Sequence, residues 1–101
     1  MTSFKEIEKL VQVELEEANK QHPPFNSDHE TWAVIQEEVE ECTDELETLN
    51  IAMEVAWTNV RRDVAIDASL STIHKRALKV AAEAIQVAAM CEKGLKRYDA
   101  K

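Results

Sequence analysis

The sequence predicts an all-α protein with a single domain over residues 1–101. Only one of its 101 residues is glycine and two are proline, whereas a sheet protein of this size needs several tight turns, for which glycine is the usual residue. Good helix formers such as Ala, Glu, Leu, Lys and Gln are abundant. Apolar residues also recur at intervals of three and four along most of the chain, which is typical of amphipathic helices.

The first helix is predicted over residues 3–20 by an apolar stripe and ends before Pro23 and Pro24, which cannot continue it. Ser27 and Glu30 then have the spacing of a capping box. In that motif the Ser27 hydroxyl accepts from the backbone N–H of Glu30, and the Glu30 carboxylate accepts from the N–H of Ser27. A second helix is therefore expected from residue 28.

The second helix carries an apolar stripe at intervals of 3, 4, 3, 4 and 3: Trp32, Ile35, Val39, Cys42, Leu46 and Leu49. The pattern continues to Val60 without glycine or proline, but one helix over 28–66 would be roughly 58 Å long at 1.5 Å per residue. A compact domain does not usually hold such a helix. We therefore expect a turn near Leu49 and Asn50, with Asn50 capping a third helix that runs to about Ile66.

The last helix is predicted from about Leu70 to Lys96, with Asp67, Ser69 and Ser71 as candidate caps before or at its start. It is rich in alanine, and small side chains let helix axes approach closely, so we expect it at the centre of the bundle. Its final bases complement the negative end of the helix dipole; they are Lys93, Lys96 and Arg97.

The net charge of −8 is concentrated in residues 21–60, which hold ten acids and no Lys or Arg. This acidity argues against a nucleic-acid partner, because phosphate binding relies on basic side chains. The longest apolar run is five residues, 87–91, too short to span a membrane. Two cysteines, Cys42 and Cys91, make no disulfide framework. We expect a cytoplasmic protein with neither nucleic acid nor membrane as partner.

Seven acids lie close together on the second helix: Glu37, Glu38, Glu40, Glu41, Asp44, Glu45 and Glu47. Helical geometry places Glu38, Glu41 and Glu45 on one flank, with Glu38 at the edge of the buried stripe. One interpretation is a solvated acidic face. The other is a cation site, because no base on the same helix offsets the repulsion and Mg²⁺ takes carboxylate oxygens.

Glu83 is the only acid between Asp67 and Glu92 on the last helix, and its position relative to the apolar stripe matches that of Glu38. It could pair with Lys79 four residues earlier, or it could supply a cation ligand from a second helix. Gln86 follows on the same flank. The nearby bases Arg76 and Lys79 could neutralise a phosphate or pair with the acidic helix.

The motif Glu38-Val39-Glu40-Glu41, followed by Glu83-Ala84-Ile85-Gln86, resembles the ExxE…ExxD signature of the all-α nucleoside triphosphate pyrophosphohydrolases, which include MazG and the dimeric dUTPases. The segments around these motifs, about 26–48 and 76–95, resemble small MazG-like proteins of phages and Gram-positive bacteria. The resemblance implies a four-helix bundle assembled as a homodimer or homotetramer. It also implies Mg²⁺-dependent (or Mn²⁺-dependent) hydrolysis of a nucleoside triphosphate to the monophosphate and pyrophosphate.

Carried over by motif, the metal ligands and catalytic carboxylates are Glu38, Glu41 and Glu83. Gln86 replaces the final Asp of the motif and offers a carbonyl oxygen without charge, which should weaken metal binding. Arg76 and Lys79 are candidates for the nucleotide phosphates. Trp32 and His29 could meet the base, although a core tryptophan and a simple capping-box histidine are alternatives. A non-catalytic helical interaction protein that keeps the fold is the competing hypothesis.

Overall fold

A computed structural model describes residues 2–96 as three helices and no strand: α1 (Phe4–Gln21), α2 (Asp28–Arg61) and α3 (Asp67–Lys96). The predicted all-α class is confirmed for these residues. Arg97, which we assigned to the end of the last helix, lies outside them. Residues 2–96 form three helices where four were expected, and the difference lies entirely in α2.

The first helix matches the prediction to within one residue at each end. Ser3 caps it by accepting a hydrogen bond from the N–H of Glu6 at 3.2 Å. At the other end the N–H of His22 donates to the carbonyl of Ala18 at 2.9 Å. The two prolines then lead into α2.

The start of α2 shows only half of the predicted capping box. Ser27 Oγ accepts from the N–H of Glu30 at 3.1 Å, as expected. The Glu30 carboxylate, however, accepts from the backbone N–H of Asn26 at 3.4 Å and from its side-chain amide at 3.2 Å, not from Ser27. Asn26 offers that carboxylate two donors, whereas the N–H of Ser27 offers one.

The expected turn at Leu49 and Asn50 is wrong, because α2 is one helix of 34 residues. It is about 51 Å long at 1.5 Å per residue, and the molecule is 62 Å in its longest dimension. A long helix is accommodated because α3, with 30 residues, packs beside it as a hairpin. The hairpin turn instead spans 62–66, where Asp63 has φ 56°.

The candidate caps before the last helix also change. α3 begins at Asp67, so Ser69 and Ser71 lie within its first turns. Ser69 is buried instead of capping the end. The predicted central position of this helix is confirmed, because α3 packs against both α2 and α1.

The core between α1 and α3 is small. Val11 and Leu15 of α1 pack with Ala89 of α3, and the half-buried Ile85 and Met90 flank them. The alanine is completely inaccessible to solvent, which shows how a small residue lets the two helices approach closely.

α2 and α3 approach each other closely at Gly94. A Cβ atom built there would stand 2.6 Å from Cγ2 of Thr31. The only glycine of the chain is therefore neither a turn nor a helix cap, but the contact point that closes one end of the hairpin.

The molecule has two ends of different construction. We call residues 2–45 and 79–96, which include α1, the proximal end, and residues 46–78, which include the hairpin turn, the distal end. The radius of gyration is 17.5 Å, against about 13 Å for a compact domain of this length. Among the described helices, none combines the length and the hydropathy needed to cross a membrane.

Candidate metal centre and adjoining cavity

Three carboxylates from two helices meet at the proximal end. Glu38 and Glu41 are one turn apart on α2, and Glu83 lies on the facing part of α3. One oxygen from each lies within 4.8 Å of the others. The i, i+3 spacing on α2 and the antiparallel packing of the hairpin produce this arrangement.

Two of these carboxylates have a buried oxygen without a hydrogen bond. Within residues 2–96, Glu38 Oε2 and Glu83 Oε2 are shielded from solvent and find no donor. An unsatisfied buried acceptor is costly, and more so when it is charged. Each of these two oxygens therefore lacks a compensating donor among the described residues.

The electrostatics of the cluster favour protonation when nothing else neutralises it. Burial raises the pKa of Glu38 to about 7, and the charges of Glu41 and Glu83 add to the effect. The pKa of Glu41 is also raised, first by its hydrogen-bonding interaction with the Glu83 carboxyl and then by the charge of that group. Carboxylates in this arrangement are the oxygen donors that hard divalent cations take.

The nearby bases do not neutralise the cluster. Arg76 Nη1 lies 3.0 Å from Glu45 Oε2 and so pairs with the acidic helix one turn away. Lys79 is exposed and forms no ion pair with Glu83 or any other described acid. The sequence allowed these bases either to bind phosphate or to pair with the acidic helix. Arg76 pairs with the acidic helix, whereas Lys79 has no ion pair with a described acid.

A cavity of about 520 Å³ adjoins the carboxylates and lies between α1, the 22–27 segment and the hairpin. Glu38 and Gln86 both line it. Gln86 therefore faces the same space as the buried edge of the cluster. The role of Gln86 as a further ligand stays a prediction.

The aromatic and sulfur side chains differ from expectation in part. Trp32 is 66% exposed, so the core alternative is wrong, and it does not line the cavity. His29 is exposed at the start of α2. Cys42, on the predicted apolar stripe, is half-buried, with Sγ 3.8 Å from the carbonyl oxygen of Val80, whereas Cys91 is exposed.

The position of Lys93 in the cavity was not expected from the sequence. We assigned it to the helix dipole, but it is only 6% exposed, lines the cavity and holds Nζ 4.8 Å from the centre of the Phe25 ring. A signal was present, because a residue seven positions after Gln86 returns to almost the same helix face.

Comparison with known proteins adds no relative: no protein family, no curated protein and no solved structure matches the chain. The resemblance to the MazG-like enzymes thus rests on the two motifs and the segments around them, and it stays a prediction.

Proposed function

We propose that the protein is a divalent-cation-dependent nucleoside triphosphate pyrophosphohydrolase with its centre at Glu38, Glu41 and Glu83. The observation that carries the proposal is the meeting of these carboxylates from two helices, with two buried oxygens that no described donor satisfies. A solvated acidic face would turn its oxygens to water, whereas these two oxygens are shielded from solvent.

The roles proposed for the three carboxylates follow from their exposure. Glu38 and Glu83 are half-buried and held between packed helices, so they fix the position of the cation, whereas Glu41 is exposed and can orient the attacking water and accept its proton. Bound Mg²⁺ or Mn²⁺ supplies neutralisation of the triphosphate charge and a lowered pKa of coordinated water. Lys79, exposed and one turn before Glu83, is placed to meet phosphate oxygens; Arg76 has that role only if it leaves Glu45.

Gln86 should set the strength of this site. An amide in place of a carboxylate removes one negative charge from the ligand set, so weak cation binding is expected. Gln86→Asp should therefore raise cation affinity, measured by the shift of the melting temperature across a Mg²⁺ or Mn²⁺ titration.

The test is pyrophosphate release from a panel of ribo- and deoxyribonucleoside triphosphates with Mg²⁺ or Mn²⁺. Glu38→Gln and Glu83→Gln should each abolish release, because each removes one of the two half-buried anionic ligands of the cation. Glu40→Gln is the matched control, since Glu40 belongs to the same motif but lies exposed beside Gln36. No release from any nucleotide, together with no melting shift with cation plus nucleotide, rejects the enzyme.

We also propose that the protein works as a homo-oligomer in which a second copy covers the distal end. The chain exposes 7623 Å², about 1,800 Å² more than a compact monomer of 11.5 kDa, and stable dimers bury about 800 Å² or more per partner. Large apolar side chains that are about half exposed cluster at this end: Leu46, Ile51, Met53, Val55, Trp57, Val60, Val64, Leu70 and Leu78.

A second copy suits this surface because the distal end has no net charge. Residues 46–78 hold four acids and four bases, so two copies meet there without repulsion even though each chain is strongly acidic. Two hairpins packed in this way make a four-helix bundle. Light scattering should give twice or four times 11.5 kDa; a monomer at high micromolar concentration contradicts the proposal.

The exposed apolar surface also favours the second candidate, a helical interaction protein without catalysis. The two candidates differ in their response to the carboxylate variants. Loss of cation-dependent melting shifts and of pyrophosphate release in Glu83→Gln supports the enzyme, whereas a protein that assembles normally and never responds to cation or nucleotide supports the interaction role.

A further inference from the structure

One lysine, Lys93, lines the cavity. Lys93 is more than nine-tenths buried, and no described acid or hydrogen-bond acceptor pairs with its ammonium group, which lies over the Phe25 ring. This cation–π contact leaves the three N–H groups of the ammonium without an acceptor among the described residues. Because Lys93 lines the cavity, a ligand in that space is the natural acceptor for its N–H groups.

The other charges around the cavity restrict what this ligand can be. Carboxylates from α1 and α2 line it on several sides: Glu14, Glu17, Glu30, Glu37 and Glu38. A phosphate or another compact anion at Lys93 would be repelled by them. A neutral group fits better when it offers an acceptor to Lys93 and N–H donors to the carboxylates.

The residues that line the cavity suit a flat ring. Phe25 and Met90 are among its lining residues, and aromatic and thioether side chains pack well against ring faces. The volume of about 520 Å³ lies within the range of small-ligand sites. Glu38 and Gln86 line the cavity, and Glu38 also belongs to the carboxylate cluster, so one ligand can reach both.

We propose that this cavity binds the base of the nucleotide and selects cytosine and guanine over uracil and thymine. The inference rests on the proposed function for the position of the triphosphate. Cytosine and guanine each present a carbonyl acceptor together with an exocyclic amino donor, which match Lys93 and the carboxylates. Uracil and thymine present two carbonyls around one N–H, so a carbonyl would face a carboxylate.

The first experiment measures nucleoside binding without any metal, so that it does not depend on turnover. Guanosine, cytidine, uridine and thymidine are titrated into ¹⁵N-labelled protein, and shifts of amides in 22–27 and 86–93 are followed. Guanosine or cytidine should bind at least about tenfold more tightly than uridine or thymidine, as expected when unmatched polar groups are buried together. Equal binding, or a preference for uridine or thymidine, overturns the inference.

Two variants locate the selectivity. Lys93→Met keeps the length and apolar stem of the side chain and should reduce the preference at least about fivefold. The matched control is Lys96→Met, since Lys96 is exposed on the same helix and pairs with Glu92 at 3.2 Å; it should leave the preference unchanged. If Lys93→Met fails to fold, Glu37→Leu carries the test, because Glu37 is exposed and leucine offers no acceptor to the amino donors; the preference should fall as for Lys93→Met.

The results distinguish a failure of the base-cavity inference from a failure of the proposed hydrolase function. Selective nucleoside binding that depends on Lys93 or Glu37, without pyrophosphate release from any triphosphate, rejects the hydrolase and keeps the base cavity. Release from all triphosphates at similar kcat/KM, unaffected by Lys93→Met, keeps the hydrolase and overturns the base cavity.

Discussion

The proximal and distal ends of the hairpin bury their residues in opposite ways. At the distal end the buried residues are small, Ala52, Ala56 and Ser69, and most of the large apolar side chains are about half exposed. At the proximal end α1 supplies Val11 and Leu15, which cover α3. The same two helices thus form a closed core where a third helix packs and an open apolar face where none does. The open face is where we expect the second copy.

The largest effect should come from the proximal core. Leu15→Ala removes a side chain that is 3% exposed and should lower the free energy of unfolding by about 3 kcal/mol. Urea denaturation measures it. Val13→Ala is the control, because Val13 is 59% exposed on the same helix and should cost at most about 0.5 kcal/mol. Equal costs would show that α1 is not anchored through Leu15.

A charge placed in the apolar surface of the distal end should disrupt self-association. Trp57 is 59% exposed, and Trp57→Glu should weaken self-association about 100-fold, or about 2.7 kcal/mol, because large aromatic residues dominate such interfaces. Sedimentation equilibrium measures the change. Leu95→Glu is the control at the proximal end, where Leu95 is 75% exposed. A larger effect from Leu95→Glu would move the interface to the other end of the molecule.

The carboxylate cluster should make stability depend on pH. Since the pKa of Glu38 is raised from 4.5 to about 7, the folded protein holds this proton more tightly than the unfolded chain. Its contribution is therefore complete below about pH 4.5 and is lost as the pH rises to about 7.

We expect a loss of about 1 kcal/mol from Glu38, allowing for its partial exposure. Melting temperatures at pH 5 and pH 8 in EDTA measure it, and Glu38→Gln should show a smaller fall than the wild type. Saturating Mg²⁺ should restore stability at pH 8, because a cation binds the ionised form. An unchanged pH dependence in Glu38→Gln would count against the burial of this group.

The smallest effect is expected at the border between the two ends, where Arg76 pairs with Glu45. The two side chains are 35% and 24% exposed, so a double-mutant cycle with Arg76→Met and Glu45→Gln should give a coupling of about 0.5 kcal/mol. In the pyrophosphate assay Lys79→Met should raise KM more than Arg76→Met, because only Lys79 is unpaired. The reverse order would show that Arg76 leaves Glu45 for the substrate.

The sequence predicts the local features of this fold better than its overall shape. The Ser27 cap and the limits of α1 follow from side chains that act within one helical turn. The break expected at Asn50 was inferred from compactness alone, and the hairpin is not compact. Trp32 and Leu46 lie on the apolar stripe of α2 but are exposed. An apolar stripe indicates a surface suited to burial, but it does not identify the segment of the chain that buries it.

For the candidate site too, the features within one helix were predictable, whereas the packing between separate segments was not. The spacing of Glu38 and Glu41 follows from helical geometry, and Glu83 stands out because acids are rare on α3. The cavity beside them is formed by three separate segments, α1, residues 22–27 and the hairpin. No periodicity within one helix places Phe25 over Lys93, so this half of the site became apparent only with the packed helices.

Gly94 makes the hairpin unusually intolerant of mutation at one position. Every other amino acid adds a Cβ, and that atom would meet Thr31, whose rotation is restrained because Oγ1 donates to the carbonyl of Ser27 at 2.9 Å. Although alanine is favoured over glycine inside a helix by about 1 kcal/mol, here the gain is opposed by a steric conflict. In a library of random variants, position 94 should therefore retain glycine while its exposed neighbours Leu95 and Lys96 drift freely.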